Sequence, residues 1–232
     1  MSRARTSESQ NWQTAAPEHG SGCLSGFIIP PLAVLVVGIF LVILTSSLGT
    51  AAEATDPQND ASDQMNKGIL SPVFTPEVQY WAEYILQWAN QTSLEPNLIA
   101  TIMQIESCGD PQAHSSVGAM GLFQVMPYHF NTGENPYSPD INALRGLDYL
   151  QRSLTQANGN RRLAMAGYNG GIGIITRAET TWAAETHRYV QYGWPIYEEA
   201  QSGIETSTAL HNWYNHYGAS LCKQAAKRLG LK

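Results

Sequence analysis

Apolar residues recur at spacings of three and four along most of the chain after residue 70, and this period predicts helices. The first helix is expected to begin at Thr75-Pro76-Glu77, which places an N-cap, a proline and an acid in the order that starts a helix. The next apolar positions share one face of that helix: Trp81, Tyr84, Ile85 and Trp88.

Two longer helices follow, and each begins at a proline. One is predicted from Glu95-Pro96 to Glu106, with Gly109 as its stop. The other begins at Ser138-Pro139-Asp140. Its inward face is predicted to be Ile141, Leu144, Leu147 and Leu150.

The remaining helices are predicted from shorter signals. Asn160 is a candidate N-cap of a fourth helix, and residues 181–192 are expected to form a fifth. Residues 209–229 are expected to form one or two more around a break at Gly218. No convincing alternation of apolar and polar residues indicates a strand, so the predicted fold class is all-α.

The chain is predicted to have five parts. Residues 1–22 are expected to be a disordered cytoplasmic tail, 24–48 a transmembrane helix, 49–70 a flexible linker, 71–200 the folded domain and 201–232 a helical extension. The transmembrane prediction rests on a stretch without charged residues that runs from Gly20 to Ala52. A secretory signal peptide cleaved near Ala51-Ala52 is the alternative.

Basic residues suggest how such a helix is oriented. Arg3 and Arg5 precede the apolar stretch, and Lys67 is the first basic residue after it. Because cytoplasmic flanks carry the excess of positive charge, the N-terminus is expected inside the cell. The chain is therefore predicted to be a single-pass protein of the cell membrane with its folded domain outside the cytoplasm, or a secreted protein if the signal is cleaved.

Charge and cysteine content exclude some functions. The net charge of -6 and the lack of a basic stripe exclude nucleic acid as a partner. Neither the histidines nor the cysteines have metal-site spacing, so no metal and no cofactor are expected. Cys108 and Cys222 could form a disulfide in an oxidising compartment, and the alternative is two independent buried thiols.

Glu106 is the candidate catalytic residue. Ile99 and Met103 precede it at helical spacing, so its carboxyl shares a stripe with apolar side chains. Poor solvation disfavours a charged carboxylate and raises its pKa, which makes a glutamate suitable as a general acid. The alternative is a helix-end glutamate that points into water.

Two glycine-rich segments follow Glu106. Residues 115–127 combine Gly118 and Gly121 with the amide of Gln124, and residues 167–171 combine Tyr168 and Asn169 with three glycines. Aromatic, amide and hydroxyl groups of this kind bind sugars in a cleft. The alternatives are a packed turn for the first segment and an ordinary helix C-cap for the second.

Taken in order, these segments resemble the catalytic domain of the soluble lytic transglycosylases, which has a lysozyme-like fold. The resemblance spans residues 71–197 and rests on four motifs. The motifs are Glu106-Ser107, residues 115–127, Gly167-Tyr168-Asn169-Gly170 and Glu185-Thr186-His187-Arg188-Tyr189-Val190, with residues 142–150 between the second and the third. Two positions depart from the family pattern, Phe123 for a usual methionine and Gly167 for a usual alanine.

The resemblance implies an enzyme that cleaves the β-1,4 bond between N-acetylmuramic acid and N-acetylglucosamine in peptidoglycan without water. Glu106 would act first as acid and then as base, and the product would carry a 1,6-anhydro end. Ser107 would orient the helix end and belong to the substrate-binding set. The other members of that set would be Ser115, Gln124, Met126, Tyr168, Asn169, Glu185 and Tyr189. The partners would be glycan strands and the membrane, and the enzyme would be a monomer.

Two other functions are compatible with the same residues. One is a muramidase similar to goose-type lysozyme, in which Asp110, Asp140 or Asp148 positions a water. The other is a peptidoglycan-binding module without catalysis. The binding module is disfavoured by the presence of intact Glu106, Ser107, Gln124 and Tyr168.

Overall fold

The computed structural model describes residues 69–231. The predicted tail and transmembrane helix, with nearly all of the linker, lie outside these residues. Within the described range, no helix is both long enough and apolar enough to span a membrane.

The described part of the chain is helical and contains no strand, which confirms the all-α prediction for this part. Three short 3₁₀ turns, Pro127–His129, Ile172–Ile174 and Glu179–Thr181, connect some of the helices. The α-helices are α1 (Pro76–Gln79), α2 (Ala82–Thr92), α3 (Pro96–Glu106), α4 (Pro139–Gln156), α5 (Arg161–Gly170), α6 (Ala184–Gln201), α7 (Thr208–Trp213) and α8 (Ala219–Leu229).

Helix α3 is the centre of the domain. Every residue from Pro96 to Gln104 is buried, and α1, α2 and α6 pack around the helix. A helix that is apolar on most of its surface must be covered on all sides, so the run from Leu98 to Ile105 explains this central position. Helix α5 packs between α4 and α6.

The proline-marked helix starts agree with the structure at α1, α3 and α4, where each proline occupies the first turn. The Asn160 cap of α5 is also confirmed, because its side chain accepts a hydrogen bond of 3.0 Å from the Leu163 amide. Helix α6 begins at Ala184, three residues later than predicted, and continues to Gln201.

The first predicted helix is not continuous in the structure, so this prediction is wrong. The chain forms two helices separated at Tyr80 and Trp81, and the Trp81 indole N–H donates to the Gly109 carbonyl oxygen at 2.8 Å. Tyr84, placed on the apolar face by its spacing, is 43% exposed. The helix is therefore interrupted where Trp81 makes this tertiary contact, although the spacing of apolar residues predicts a continuous helix.

The predicted inward face of α4 is wrong at one position. Leu144 is 53% exposed, whereas Leu147 and Leu150 are buried. Steps of three residues drift around a helix of 3.6 residues per turn, so four residues separated by three such steps cannot all face the core. The buried row is shifted and includes Ala143 and Gly146.

The C-terminal extension does not break at Gly218. A π-helical turn, Tyr214–Gly218, joins α7 directly to α8. The Trp213 ring lies where a side chain on Gly218 would be, with a ring carbon 2.4 Å from the position of an added Cβ. Glycine is therefore required here for close packing rather than for helix termination.

The extension is attached to the rest of the domain at its α8 end. Cys108 and Cys222 form a disulfide, so the pairing that the sequence left open is present. Beside it, the buried Asp110 carboxylate accepts a hydrogen bond of 2.8 Å from Gln224 and forms an ion pair of 3.3 Å with Arg228. These bonds tie α8 to the segment that directly follows α3.

Candidate active site

Glu106 is the last residue of α3, and the segment after it fixes the orientation of this helix end. The Ser107 hydroxyl donates to the Leu122 carbonyl oxygen at 2.7 Å and accepts from the Gly109 amide at 3.1 Å. Ser107 is fully buried, and its place in the substrate-binding set stays a prediction. Its hydroxyl connects the end of α3 to the glycine-rich loop.

A groove passes Glu106 on both sides. Its larger part, the wide section, has a volume of about 490 Å³, and its smaller part, the aromatic section, has a volume of about 220 Å³. Glu106, Asn169 and Glu185 line both sections, so the Glu106 carboxyl lies where the two meet. A linear polymer lying along the groove would therefore pass this carboxyl.

The structure brings most of the predicted site residues to this groove. Ser115, Gln124, Met126 and Tyr168 line the wide section, and Tyr189 lines the aromatic section. Glu185 is exposed at the start of α6, one turn before Tyr189. Of the nine predicted catalytic and binding residues, only Ser107 lines neither section.

The environment of Glu106 favours its protonated form. Burial raises the pKa of the carboxyl, the Tyr189 hydroxyl lowers it, and the negative charge of Glu185 raises it. Burial dominates, and the pKa of Glu106 rises from 4.5 to about 8. Glu106 therefore carries a proton near neutral pH and can donate it to a bound ligand.

The Tyr189 hydroxyl is available to a charged Glu106. It is buried, and the Glu106 carboxyl is the partner within its reach, so the hydroxyl lowers the pKa of that carboxyl. A buried hydroxyl needs a hydrogen-bonding partner, and a charged Glu106 supplies one. Burial raises the pKa of Tyr189 well above 10, so the hydroxyl remains a donor.

Polar side chains of the groove keep some of their hydrogen-bonding capacity for a ligand. The Asn169 carbonyl oxygen accepts from Thr186 at 2.8 Å, which leaves its amide N–H groups for the groove. The Gln124 amide donates to the Gly121 carbonyl oxygen at 3.0 Å, which leaves its own oxygen as an acceptor. The Tyr168 hydroxyl donates to the Phe123 carbonyl oxygen at 2.7 Å, so its proton is used within the protein.

The acids proposed to position a water do not line the groove. Asp110 is fully buried against α8, and Asp140 accepts a hydrogen bond from the Trp88 indole at 3.0 Å. Asp148 forms an ion pair with Arg152 on the exposed side of α4. Apart from Glu106, Glu185 is the one acid that lines either section within residues 69–231.

Sequence reasoning gave Asn142 no role, although it holds the glycine-rich loop in place. Its amide donates to the Met120 carbonyl oxygen at 2.8 Å and to the Pro136 carbonyl oxygen at 2.9 Å. Its oxygen accepts from the Phe123 amide at 2.8 Å. The predicted inward face of this helix did not include Asn142, so the sequence carried no signal for this role. The burial of its side chain in the structure shows that it needs partners.

We expect Asn142→Ala to lower the free energy of unfolding by about 3 kcal/mol, because three backbone groups lose their buried partner. Thermal or urea unfolding would measure the change. Asn90→Ala is the matched control, since Asn90 is exposed on α2 and should change stability by less than about 0.5 kcal/mol. Equal effects of the two substitutions would show that the Asn142 hydrogen bonds do not stabilise the loop.

The wide section also contains residues that sequence reasoning did not assign, His129, Tyr149 and Gly146. A Cβ on Gly146 would lie 2.6 Å from the Phe123 Cβ and 3.1 Å from the Tyr168 hydroxyl, so the floor of the groove has no room for a side chain there. The aromatic section is also lined by residues to which the sequence gave no role: Arg188, Tyr192, Trp213 and Tyr217.

One cluster in the described residues has the composition of a metal site. Glu77 lies within 4.8 Å of the sulfur atoms of Cys108 and Cys222. Because those sulfur atoms are joined in a disulfide, they are not thiolates and cannot serve as metal ligands. The cluster is therefore part of the attachment of α8.

Several known proteins are similar in sequence to parts of this chain. A transglycosylase of Enterobacteria phage PRD1 is 35% identical over 111 residues, which cover 47% of this chain and 40% of the phage protein. The membrane-bound lytic murein transglycosylase D of Escherichia coli (strain K12) is 25% identical over 182 residues, which cover 72% of this chain and 40% of that protein. The chain thus spans about 40% of the length of these curated relatives.

Among solved structures, an inactive mutant of the lytic transglycosylase Slt from Pseudomonas aeruginosa matches with a TM-score of 0.44 and 28% identity. The match covers 54% of this chain and 24% of that chain. The family model described as the transglycosylase SLT domain matches residues 83–190, a range that contains Glu106 and all four motifs of the groove. Residues 83–190 of this chain therefore match the transglycosylase SLT domain.

Proposed function

We propose that this chain is a lytic transglycosylase that cleaves the β-1,4 bond between N-acetylmuramic acid and N-acetylglucosamine in peptidoglycan. The main support is a carboxyl that stays protonated near neutral pH at the middle of a two-sided groove. The relatives named above are transglycosylases, and the family model carries the same description.

In the first proposed step, Glu106 protonates the glycosidic oxygen while the bond between that oxygen and the anomeric carbon breaks. The leaving sugar departs with the proton, and positive charge develops at the anomeric carbon. Glu106 becomes a carboxylate in the same step, so it can stabilise that charge. The Tyr189 hydroxyl can then donate to the new carboxylate.

In the second proposed step, the carboxylate of Glu106 takes the proton from the 6-hydroxyl of the muramic acid. The oxygen of that hydroxyl attacks the anomeric carbon and closes the 1,6-anhydro ring. Glu106 regains its proton, so the cycle consumes no water and uses one carboxyl twice. The raised pKa suits both steps, because a group that titrates near the working pH gives and takes a proton with similar ease.

An intramolecular nucleophile fits the composition of the groove better than an activated water does. Hydrolytic glycosidases generally use a pair of carboxylates on the two sides of the scissile bond. Asp110, Asp140 and Asp148 all lie away from the groove. The remaining acid, Glu185, is exposed and raises the pKa of Glu106, which gives it a role in keeping the proton on Glu106.

The proposed activity is tested by incubating the purified full chain with peptidoglycan and measuring soluble fragments and new reducing ends. A lytic transglycosylase releases fragments without new reducing ends, because the anhydro ring occupies the anomeric carbon. Equal amounts of fragments and reducing ends would show a muramidase. Binding to the glycan without any fragments would show a binding module.

The pH dependence of cleavage should follow the titration of Glu106. Because the protonated carboxyl starts the reaction, kcat/KM is expected to fall as pH rises through about 8. In Tyr189→Phe this fall should move to higher pH, because the hydroxyl that lowers the pKa is lost. In Glu185→Gln it should move to lower pH, because a negative charge that raises the pKa is lost.

Rate measurements from pH 5 to 10 on the two variants check this pair of opposite shifts. Glu198→Gln serves as the control, since Glu198 is an exposed acid on the same helix as Glu185. Shifts in the same direction for Tyr189→Phe and Glu185→Gln would contradict the assignment of the alkaline limb to Glu106.

We also propose that residues 24–48 anchor a monomeric enzyme in the cell membrane, with its domain outside the cytoplasm. The apolar stretch supports the anchor, and the relatives include proteins named as membrane-bound. Retention in membranes washed at alkaline pH is the expected result for the full chain. Release of the chain by that wash, or its recovery in the medium, would favour the cleaved signal.

A further inference from the structure

The aromatic section of the groove is built partly by the C-terminal extension. Trp213 and Tyr217 come from the end of α7 and the π-helical turn, and Tyr192 comes from the middle of α6. All three residues lie beyond residues 83–190, the range of the SLT family match. This end of the groove is therefore a feature of this chain in addition to the matched domain.

The π-helical turn presents Tyr217 to the groove. The buried Trp213 ring fills the space beside Gly218, while Tyr217 remains 52% exposed. The Tyr217 and Tyr192 rings meet edge to face, with centroids 5.0 Å apart. Single π-helical turns occur often at functional sites.

The extension is held firmly enough to serve as a wall of the groove. The Cys108–Cys222 disulfide connects α8 to the segment after Glu106, and Asp110 binds Gln224 in the same place. The turn that carries Tyr217 runs directly into α8. Tyr217 is therefore placed relative to Glu106 by covalent and hydrogen bonds.

Polar groups surround the aromatic pair. Arg188 and Glu185 are exposed on α6 and line this section, and the amide N–H groups of Asn169 are available beside them. Arg188 forms no ion pair within the described part of the chain. An aromatic surface with a few convergent donors and acceptors suits a pyranose ring, whose C–H face packs on an aromatic ring while its hydroxyl and acetamido groups form hydrogen bonds.

We propose that Tyr192, Trp213 and Tyr217 form a saccharide-binding subsite that holds one sugar of the glycan strand beside Glu106. This inference rests on the proposed function, since it assigns part of the same substrate. Tyr217 is a specificity-determining residue of the subsite, and Trp213 is a positioning residue that acts through the shape of the turn. The C-terminal extension thereby determines how tightly a strand is held on this side of the cleavage point.

The test measures binding rather than cleavage. The full chain with Glu106→Gln is titrated with a peptide-free glycan oligomer of alternating N-acetylglucosamine and N-acetylmuramic acid. Adding Tyr217→Ala should raise Kd about five- to tenfold, because an aromatic contact is lost. Tyr217→Phe keeps the ring and should restore binding to within about twofold of the parent.

Tyr214→Ala is the matched control, because Tyr214 is on the same turn but lines neither section of the groove. Its Kd should stay within about twofold of the parent. Equal Kd values for Tyr217→Ala and Tyr214→Ala would overturn the subsite. A loss of affinity by Tyr217→Ala only for strands that carry stem peptides would also overturn it, by assigning the section to peptide.

The outcomes distinguish a failure of the subsite from a failure of the proposed function. Failure of the wild-type chain to release fragments, together with weakened binding by Tyr217→Ala, would remove the lytic activity and keep the subsite. Cleavage by the wild type with no effect of Tyr217→Ala would do the reverse. Melting temperatures of all variants show whether the turn remains folded, and the exposed position of Tyr217 predicts that it does.

Discussion

Glu106→Gln is expected to reduce glycan cleavage by at least about a thousandfold, because both proposed proton transfers use the same carboxyl. The amide has nearly the same shape, so glycan binding should change little. The folded domain should not lose stability. Since burial raises the pKa of Glu106 from 4.5 to about 8, its ionisation opposes folding as pH rises through that range, and a neutral amide removes this cost.

The loss of activity is measured by fragment release at pH 7, with stability followed by thermal unfolding. Glu198→Gln is the control for removing an acid from the domain surface, and its activity should stay within about twofold of the wild type. Substantial cleavage by Glu106→Gln would assign the proton transfers to another group. A melting temperature well below that of the wild type would contradict the proposed environment of Glu106.

Loss of the Cys108–Cys222 disulfide is expected to lower the free energy of unfolding by about 4 kcal/mol. The bond closes a loop over a sequence separation of 114 residues, and the conformational entropy that such a bond removes from the unfolded chain increases with loop length. Because the same bond holds α8, the affinity for glycan should fall as well, as is expected for Tyr217→Ala. Urea unfolding of the oxidised chain and the Cys108→Ser/Cys222→Ser double variant measures the difference.

Reduction of the wild type provides a second route to the same state. Treatment with a strong thiol reductant should reproduce the stability of the double variant and should leave the double variant unchanged. An equal free energy of unfolding for the oxidised wild type and the double variant would show that the remaining contacts of α8, including the Asp110–Gln224 hydrogen bond, suffice to hold it.

The longer helices could be predicted because their signals are local. Proline in the first turn sets the start of α3 and of α4, and the Asn160 side chain sets the start of α5. The division between α1 and α2 could not be predicted. It accompanies the hydrogen bond of Trp81 to Gly109, a residue that is distant in sequence and belongs to the segment after α3.

The centre of the site was also accessible from the sequence. The sequence contains an apolar run that ends in Glu106, and glycine-rich segments with Gln124, Tyr168 and Asn169 follow it. The order of these segments indicates the acid and the polar groups of the site. The role of Ser107 was less accessible, because only its tertiary partner Leu122 shows that its hydroxyl is used within the protein.

The aromatic section carried no usable sequence signal. Trp213 and Tyr217 lie more than a hundred residues after Glu106, and their spacing reads as an ordinary helix face. Their approach to the groove depends on the π-helical turn and on the disulfide that attaches α8. The local spacing of apolar residues predicts neither a π-helical turn nor a disulfide between distant residues.

The most direct test of the central proposal is the mass of the soluble products when the full chain digests peptidoglycan in heavy-oxygen water. If Glu106 directs intramolecular attack by the 6-hydroxyl, the new ends are anhydro sugars, one water molecule lighter than reducing sugars and free of the heavy isotope. Products that carry one heavy oxygen at the new end would contradict the account, because a water molecule would then have attacked the anomeric carbon.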